Sequence, residues 1–372
     1  MGSSKAVQQK LKTENGLAPD KYFVAFSFLA EVSASFKKNL YEYFDFDIKR
    51  AWQCDKNDLR EFEHTVPRAF FEERDKIEPE KVYEKVQKMG MRFITCEDAK
   101  YPKLLREIPD YPLLLYYEGD LEACNFNKAL AVVGSRKASE SAKCALSGII
   151  SEFQNTDVLI VSGLAYGIDA TAHRAALDNN LKTVGTIASG LDFEYPSTNK
   201  ELYRQIKQGG GVVISEFPPG SPPVSHHFPI RNRIVTGSSY GTLVAEAALK
   251  SGAMISANLT LEHNRELMCM PGAISNPNTA GIYKLLKDGA HLVTSASDVC
   301  DVMGWEILKD ESAAKLSDIE KNVLEIIGRE NSLLDKIQQE CALDTQRLMV
   351  VLTTLELHGL IKQIRGQYFI SR

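Results

Sequence analysis

The sequence contains no apolar run of about 18 residues, which is the length that a membrane-spanning helix requires. Residues 1–16, MGSSKAVQQKLKTENG, are polar and lack the short apolar core of a secretory signal. A chain of 372 residues with 44% hydrophobic and 25% charged residues is typical of a globular protein with two or three domains. We therefore expect a cytoplasmic protein that makes no contact with a membrane.

Seven cysteines are scattered along the chain, and no two of them form a C-x-x-C pair. An odd number without regular spacing argues against a disulfide framework and against a structural zinc site. Buried thiols in a reducing compartment are the ordinary interpretation. His226 and His227 follow Glu216 in a long loop, but this spacing offers no firm third ligand, so we expect no metal.

Several enzyme fingerprints are also missing. The patterns G-x-x-x-x-G-K-[ST] and H-E-x-x-H do not occur, and neither does the G-x-G-x-x-G turn of dinucleotide sites. Asp192 lies where nucleotide-binding sheets hold a ribose hydroxyl, but without the glycine turn this signal is weak. We therefore expect no catalytic residues and no cofactor. A nucleotide-binding or nucleoside-phosphate-hydrolysing enzyme on a Rossmann-like sheet remains the alternative hypothesis.

The hydrophobic pattern divides the chain into three parts. Residues 1–88 carry apolar side chains at three- and four-residue spacing, which predicts a small helical domain. Residues 89–308 alternate short apolar segments with amphipathic ones, as in an α/β domain. Residues 314–372 contain three helical stretches and then IKQIRGQYFIS, a hairpin with its turn at Arg365-Gly366. This order predicts a C-terminal winged-helix domain.

The middle part contains the predicted strands ALAVVG (129–134), VLIVSG (158–163), KTVGTIA (182–188), GVVISE (211–216), GTLVAEA (241–247) and ELMCMP (266–271). Most are continuously apolar or small rather than alternating, which is typical of strands buried on both faces of a parallel sheet. We predict an α/β fold with an extended Rossmann-like, doubly wound, mostly parallel sheet. Such sheets bind ligands just beyond the carboxyl ends of their strands.

The turn after the first of these strands carries residues suited to phosphate binding. Gly134 lets a ligand approach the backbone, Ser135 offers a hydroxyl group, and Arg136 offers a planar fork of N–H donors. An exposed loop arginine without a ligand is the ordinary alternative. The position at a strand end favours the functional interpretation.

The turn after the second strand, SGLAYGID at residues 162–169, is rich in small residues. The helix that follows it presents free N–H groups, which attract an anion. Asp169 is predicted to be the N-cap of that helix. His173 lies one helical turn onward, and a histidine there is more often structural than a ligand contact.

A third motif, HHFPIRNR at residues 226–233, ends a long proline-rich loop. Its arginines Arg231 and Arg233 and its Asn232 are suited to phosphate, and Phe228 is suited to stacking on a base. A surface loop with ordinary solvated charges is the alternative. Long loops inside compact α/β domains are, however, usually functional.

These motifs occur in the order found in the DNA-processing protein A family, which the chain resembles from residue 91 to about residue 300. The matching segments are GSRKAS, VSGLAYGIDATAH, GLDFEYPSTN, SEFPPG, HFPIRNRIVTG, VAEAALKSGAMISA and MPGAI. The resemblance implies a Rossmann-like protein without catalytic activity that binds single-stranded DNA without strong sequence preference. It also implies a homodimer that loads the recombinase RecA onto DNA during natural transformation.

The resemblance further implies which residues contact DNA. They are Gly134, Ser135, Arg136, Ser162, Gly163, Gly167, Phe228, Arg231, Asn232 and Arg233, and we expect Lys137, His173 and Lys200 to contact DNA as well. Ser197 stands where relatives often have a basic residue, and Lys200 is the expected substitute. A net charge of −5 does not exclude a DNA-binding groove, because binding depends on the local potential.

The third helical stretch of the winged helix, DTQRLMVVLTTLELHGL, contains a single arginine, Arg347, between Asp344 and Glu356. A helix that reads duplex DNA is normally more basic. We therefore expect this domain to contact protein, either a partner or a second copy of the chain.

Overall fold

A computed structural model describes residues 20–124, 126–154, 156–306, 317–329, 332–341, 343–357, 360–364 and 366–370. Packing divides the chain at residue 307 into two units. The first unit contains the N-terminal helices and a large sheet. The second contains the C-terminal helices and a small sheet.

The first unit begins with the helices α1 (Asp20–Ser27), α2 (Ala34–Tyr43), α3 (Ile48–Gln53), α4 (Arg68–Arg74) and α5 (Pro79–Lys88). Ser33 caps α2 by accepting the N–H of Phe36 at 3.2 Å. Phe26 and Phe70 stack in the interior of these helices and belong to the same hydrophobic core as one face of the sheet. A separate helical domain over 1–88 stays a prediction, because the described helices share that core.

The sheet contains the strands β1 (Arg92–Thr95), β2 (Leu114–Gly119), β3 (Ala129–Val133), β4 (Leu159–Ser162), β5 (Thr183–Thr186), β6 (Val212–Ser215), β7 (Gly241–Val244), β8 (Glu266–Cys269) and β9 (His291–Leu292). Their order is β1-β2-β6-β5-β4-β3-β7-β8-β9. β2 runs antiparallel to both of its neighbours, and the pairs from β6 to β9 are parallel. The predicted fold class is therefore confirmed.

Helices cover both faces of this sheet. They are α6 (Glu140–Ser151), α7 (Ile168–Asp178), α8 (Lys200–Gln208), α9 (His227–Gly237), α10 (Gly252–Glu262), α11 (Ala280–Lys287) and α12 (Ala296–Met303). Leu130 and Val132 pack with α6, α7 and α12, whereas Ala131 packs into the core that includes α8 to α11. The chain moves outward from β3 in both directions, so the topological switch point lies between β3 and β7.

The second unit contains α13 (Asp318–Arg329), β10 (Ser332–Leu333), α14 (Leu334–Cys341), α15 (Thr345–Leu357), β11 (Ile361–Ile364) and β12 (Gln367–Ile370). Its strands form a sheet in the order β10-β12-β11. Val323, Ile337, Leu352 and Tyr368 are buried in a core of its own. Three helices with a β11–β12 hairpin confirm the predicted winged helix. Gly366 has a φ of +83° in the predicted turn, and Arg365 lies outside the described residues.

Candidate functional site

A cavity of about 630 Å³ opens at the carboxyl edge of the sheet, beside the switch point between β3 and β7. We call it the groove. Its walls are the turns after β3 and β4, the first half of α9 and the start of α10. Eight residues of the expected set line it, namely Gly134, Ser135, Arg136, Lys137, Gly163, Phe228, Arg231 and Asn232. The structure thus brings together residues that are almost a hundred positions apart in the sequence.

Arg136 and Lys137 are the exposed cations of the turn after β3. The guanidinium group of Arg136 lies over the ring of Phe228, 4.9 Å from its centroid. The N–H of Ser135 donates to the carbonyl of Glu246 at 2.8 Å, and the Ser135 hydroxyl oxygen accepts the N–H of Lys137 at 3.1 Å. The turn is therefore anchored at its base while its two cations face the groove.

Aromatic rings continue the wall beside Phe228. The ring of Tyr195 meets that of Phe228 edge to face, with 5.9 Å between the centroids. Tyr166 and Tyr195 are 43% and 44% exposed and line a small recess next to the groove. Partly exposed aromatic rings beside cations are suited to stacking on nucleic-acid bases. Neither tyrosine was predicted from the sequence, although each lies in a turn that follows a strand.

Arg231 forms part of the groove floor and is only 3% exposed. Its guanidinium group donates to the backbone carbonyls of Gly163 and Thr186, at the ends of β4 and β5. A side chain at position 163 would overlap this guanidinium group. Arg231 therefore connects two strand ends and places a positive charge beneath the groove.

Two further glycines allow the turns to pack closely. A Cβ atom at Gly134 would overlap the side chain of Ile168, and one at Gly167 would overlap the carbonyl of Ser135. Gly167 also has a φ of +71°, which favours glycine. These contacts account for both residues without a ligand.

Asp169 is not the N-cap of α7, which corrects the prediction from sequence. The helix spans Ile168–Asp178, and Asp169 is its second residue. Its buried carboxylate accepts the N–H of Ala165 at 3.3 Å. Burial raises the pKa of this carboxyl group, and the charge of Arg231 opposes the rise. The carboxylate therefore joins the glycine-rich turn after β4 to the start of α7.

Ser162 and His173 are completely buried, so neither can contact a strand of DNA in the groove, and the prediction for both is corrected. The Ser162 hydroxyl donates to the carbonyl of Val132 at 2.6 Å. The Nδ1 atom of His173 lies 2.7 Å from the hydroxyl of Thr183, which itself donates to the carbonyl of Ile160. His173 therefore donates from Nδ1. Burial lowers its pKa to about 3, so the ring is neutral.

Arg233 is directed away from the groove, which also corrects the prediction. It is 3% exposed, and its guanidinium group pairs with Glu216 and, at 3.3 Å from Nε to Oδ2, with Asp110. Its charge is compensated inside the protein. Lys200 begins α8 outside the groove and pairs with Glu194 at 3.3 Å, so its contact with DNA stays a prediction.

The alternative enzyme hypothesis gains little from this geometry. The carboxylate of Asp192 accepts the N–H of Gly220 at 2.9 Å and thereby fastens the proline-rich loop. Residues 237–241 fit the pattern G-x-S-x-G, but the central Ser239 is buried and donates to the carbonyl of Val235 at the end of α9. This is not the strand-to-helix turn of a hydrolase nucleophile.

The described parts of the chain contain no group of three or more His, Cys, Asp or Glu side chains that could hold a metal ion. Nor does any helix among the described residues have the length and apolar character needed to cross a membrane. The groove itself is lined by arginine, lysine, aromatic, serine and asparagine residues together with backbone groups.

Comparison with protein families agrees with this arrangement. Residues 92–304 match the model of the family described as DNA recombination-mediator protein A, and residues 308–367 match the DprA winged helix domain. DNA processing protein DprA of Streptococcus pneumoniae is 41% identical over 233 residues, which cover 63% of this chain and 81% of that protein. Protein Smf of Escherichia coli is 34% identical over 285 residues, which cover 74% of this chain and 76% of that protein.

Solved structures agree as well. The X-ray structure of DprA from Streptococcus pneumoniae has a TM-score of 0.66 and 35% identity, covering 76% of this chain and 97% of that one. A second structure is that of DNA processing protein A from Helicobacter pylori, which was studied for its single-stranded DNA binding mode. It has a TM-score of 0.51 and 28% identity, and the match covers 56% of this chain and 94% of that one. The chain belongs to the DNA recombination-mediator protein A family.

Proposed function

We propose that this protein binds single-stranded DNA in the groove, without strong sequence preference. The observation that carries the proposal is the stacked pair of Arg136 and Phe228 on an open wall at the switch point. The guanidinium group is suited to a backbone phosphate, and the ring is suited to an unstacked base. Neither kind of contact discriminates among bases.

The resemblance and the relatives support the wider role. The Helicobacter pylori relative was studied for its single-stranded DNA binding mode. By analogy with the family, we propose that this chain acts in the cytoplasm as a homodimer, without catalysis. It would load the recombinase RecA onto DNA taken up in natural transformation.

The test is a titration of fluorescent oligo-dT at several salt concentrations. We expect Arg136→Ala to weaken binding about ten-fold, because a charge-assisted contact is lost. The slope of log K against log salt should decrease by about 0.7, the value for one phosphate contact on a single strand. Arg204→Ala removes an exposed arginine that pairs with Glu201 on α8, outside the groove, and serves as the control. A wild-type protein that fails to bind oligo-dT at low salt would overturn the proposal.

A second experiment addresses the enzyme alternative. Only a ligand that binds the folded state raises the melting temperature by mass action. We expect oligo-dT to raise it and mononucleotides to leave it unchanged. A rise with a mononucleotide, together with turnover of that nucleotide, would favour the alternative.

A further inference from the structure

We infer that Glu246 is a positioning residue that holds the turn of Arg136 and Lys137 in its DNA-binding conformation. This inference rests on the proposed function and adds a residue that contacts no DNA. Glu246 follows β7, on the other side of the switch point from the turn, and is 1% exposed. Glu246 was not predicted from the sequence, although it is a carboxylate just beyond an apolar strand.

Glu246 contacts both ends of the turn. Its backbone carbonyl accepts the N–H of Ser135 at 2.8 Å, at the start of the turn. Its carboxylate accepts the backbone N–H of Ser139 at 3.3 Å and the Ser139 hydroxyl at 2.6 Å, at the end. Arg136 and Lys137 lie between these two attachments. Their backbone is therefore held at both ends by one residue of the segment that follows β7.

A third segment completes the support. Asn276 donates from Nδ2 to the same carboxylate at 3.0 Å. The backbone N–H of Asn278 in turn donates to the side-chain oxygen of Asn276 at 2.9 Å, and Asn278 donates from Nδ2 to the carbonyl of Lys137 at 3.3 Å. Glu246 thus connects the turn to the segment of Asn276 and Asn278. Both Glu246 and Asn278 contact the turn directly.

Three donors converge on one oxygen of this carboxylate, namely the Ser139 hydroxyl, Asn276 Nδ2 and the Ser139 backbone N–H. The side chain receives N–H or O–H donors from Ser139 twice and from Asn276 once, and a carboxylate accepts without donating. A glutamine that keeps its oxygen on the Ser139 hydroxyl and on Asn276 would direct its N–H₂ group at the backbone N–H of Ser139, which lies 3.3 Å from the other carboxylate oxygen. The negative charge itself opposes DNA binding, because it lies near a groove for a polyanion. A positioning role therefore predicts that Glu246→Gln binds DNA more weakly, whereas a purely electrostatic role predicts that it binds DNA more tightly.

The experiment compares wild type with Glu246→Gln in the full chain, with oligo-dT as the probe. If Glu246 positions the turn, Glu246→Gln weakens binding about ten-fold and decreases the salt slope, as Arg136→Ala does. If the residue acts only through its charge, the same variant binds DNA more tightly. Unchanged or tighter binding overturns the inference while leaving the proposed function intact.

A double-variant cycle shows whether the effect passes through the turn. In a chain that already carries Arg136→Ala and Lys137→Ala, Glu246→Gln should produce no further loss. A ten-fold loss that persists in this background overturns the inference. Glu152→Gln is the matched control, because Glu152 accepts the N–H of Ala296 at 2.8 Å away from the groove, and it should bind like wild type.

If Glu246→Gln does not fold, Ser139→Ala takes its place. This variant removes the hydroxyl donor and the N-cap of α6, whereas Ser33→Ala removes the equivalent cap of α2, a residue that does not line the groove. We expect weaker DNA binding for Ser139→Ala and wild-type binding for Ser33→Ala. Equal binding by the two variants overturns the inference. Failure of wild type to bind would instead reject the proposed function.

Discussion

Burial determines the protonation state of His173. Its pKa falls to about 3 in the folded protein, against an ordinary value of about 6.5 when unfolded. Below about pH 6.5 the unfolded state therefore binds a proton that the folded state does not, and stability decreases as the pH falls toward 3. Between pH 7 and pH 5 we expect this residue to lower the free energy of unfolding by about 2 kcal/mol.

The measurement is urea unfolding across this pH range for wild type and His173→Asn. The amide of asparagine can replace the Nδ1 donor but does not titrate, so the variant should lose less stability between pH 7 and pH 5. Other titrating groups are common to both proteins and cancel in the comparison. His64→Asn, which changes an exposed histidine, is the matched control for replacing a histidine by asparagine. Parallel pH profiles for wild type and His173→Asn would contradict the argument.

Glycines 163 and 148 offer a matched pair of substitutions. A Cβ atom at Gly163 would overlap the Arg231 guanidinium group, whereas at Gly148, inside α6, no neighbour lies within 4 Å. We expect Gly163→Ala to displace Arg231 and weaken oligo-dT binding. Gly148→Ala should keep wild-type binding and raise the free energy of unfolding by about 0.5–1 kcal/mol, the helix propensity difference. Equal DNA affinity in the two variants would show that the groove tolerates a shifted Arg231.

At the scale of elements, Arg233 connects α9 to its surroundings. It joins the helix that carries Phe228 to Glu216, just beyond β6, and to Asp110, before β2. Arg233→Met would leave a buried carboxylate without this partner, and we expect a loss of about 3 kcal/mol in unfolding free energy. The salt slope of DNA binding should not change, because Arg233 contacts no phosphate in the groove.

The control for this element is Arg68→Ala. Arg68 pairs with Glu72 on α4, but its side chain is 92% exposed, so we expect little change in stability. Adding Glu216→Gln to Arg233→Met should recover part of the lost stability, since it removes the uncompensated charge. A decrease in the salt slope of DNA binding for Arg233→Met would instead indicate that Arg233 contacts a DNA phosphate.

At the scale of the whole molecule, we expect DNA binding to depend on the first unit. The residues that line the groove all belong to it, whereas α15 of the winged helix contains Arg347 paired with Asp344 at 3.8 Å. Arg347→Ala in the full chain should therefore leave the affinity for single- and double-stranded oligonucleotides unchanged in a gel-shift assay. A marked loss of affinity for either would assign the winged helix a direct role in binding DNA.

The order of elements could be read from the sequence because each strand carries its own local signal. The continuous apolar segments around Leu130 and Ile160 predict strands buried on both faces, and the topology between them follows from general rules for parallel sheets. The edge of the sheet at which Arg136, Gly163 and Phe228 meet could also be predicted from the sequence, because ligands of such sheets bind beyond the carboxyl ends of the strands.

The sequence by itself thus determined the α/β fold, the winged helix and the rim where the site lies, because these depend on periodicity along the chain. Only the tertiary structure decided which polar side chains face that rim. Arg231 and Arg233 are two residues apart, yet one lies in the groove floor and the other pairs internally with Glu216. Glu246, just beyond β7, meets Ser139 at the start of α6. Such pairings depend on contacts between distant segments, which a local pattern does not encode.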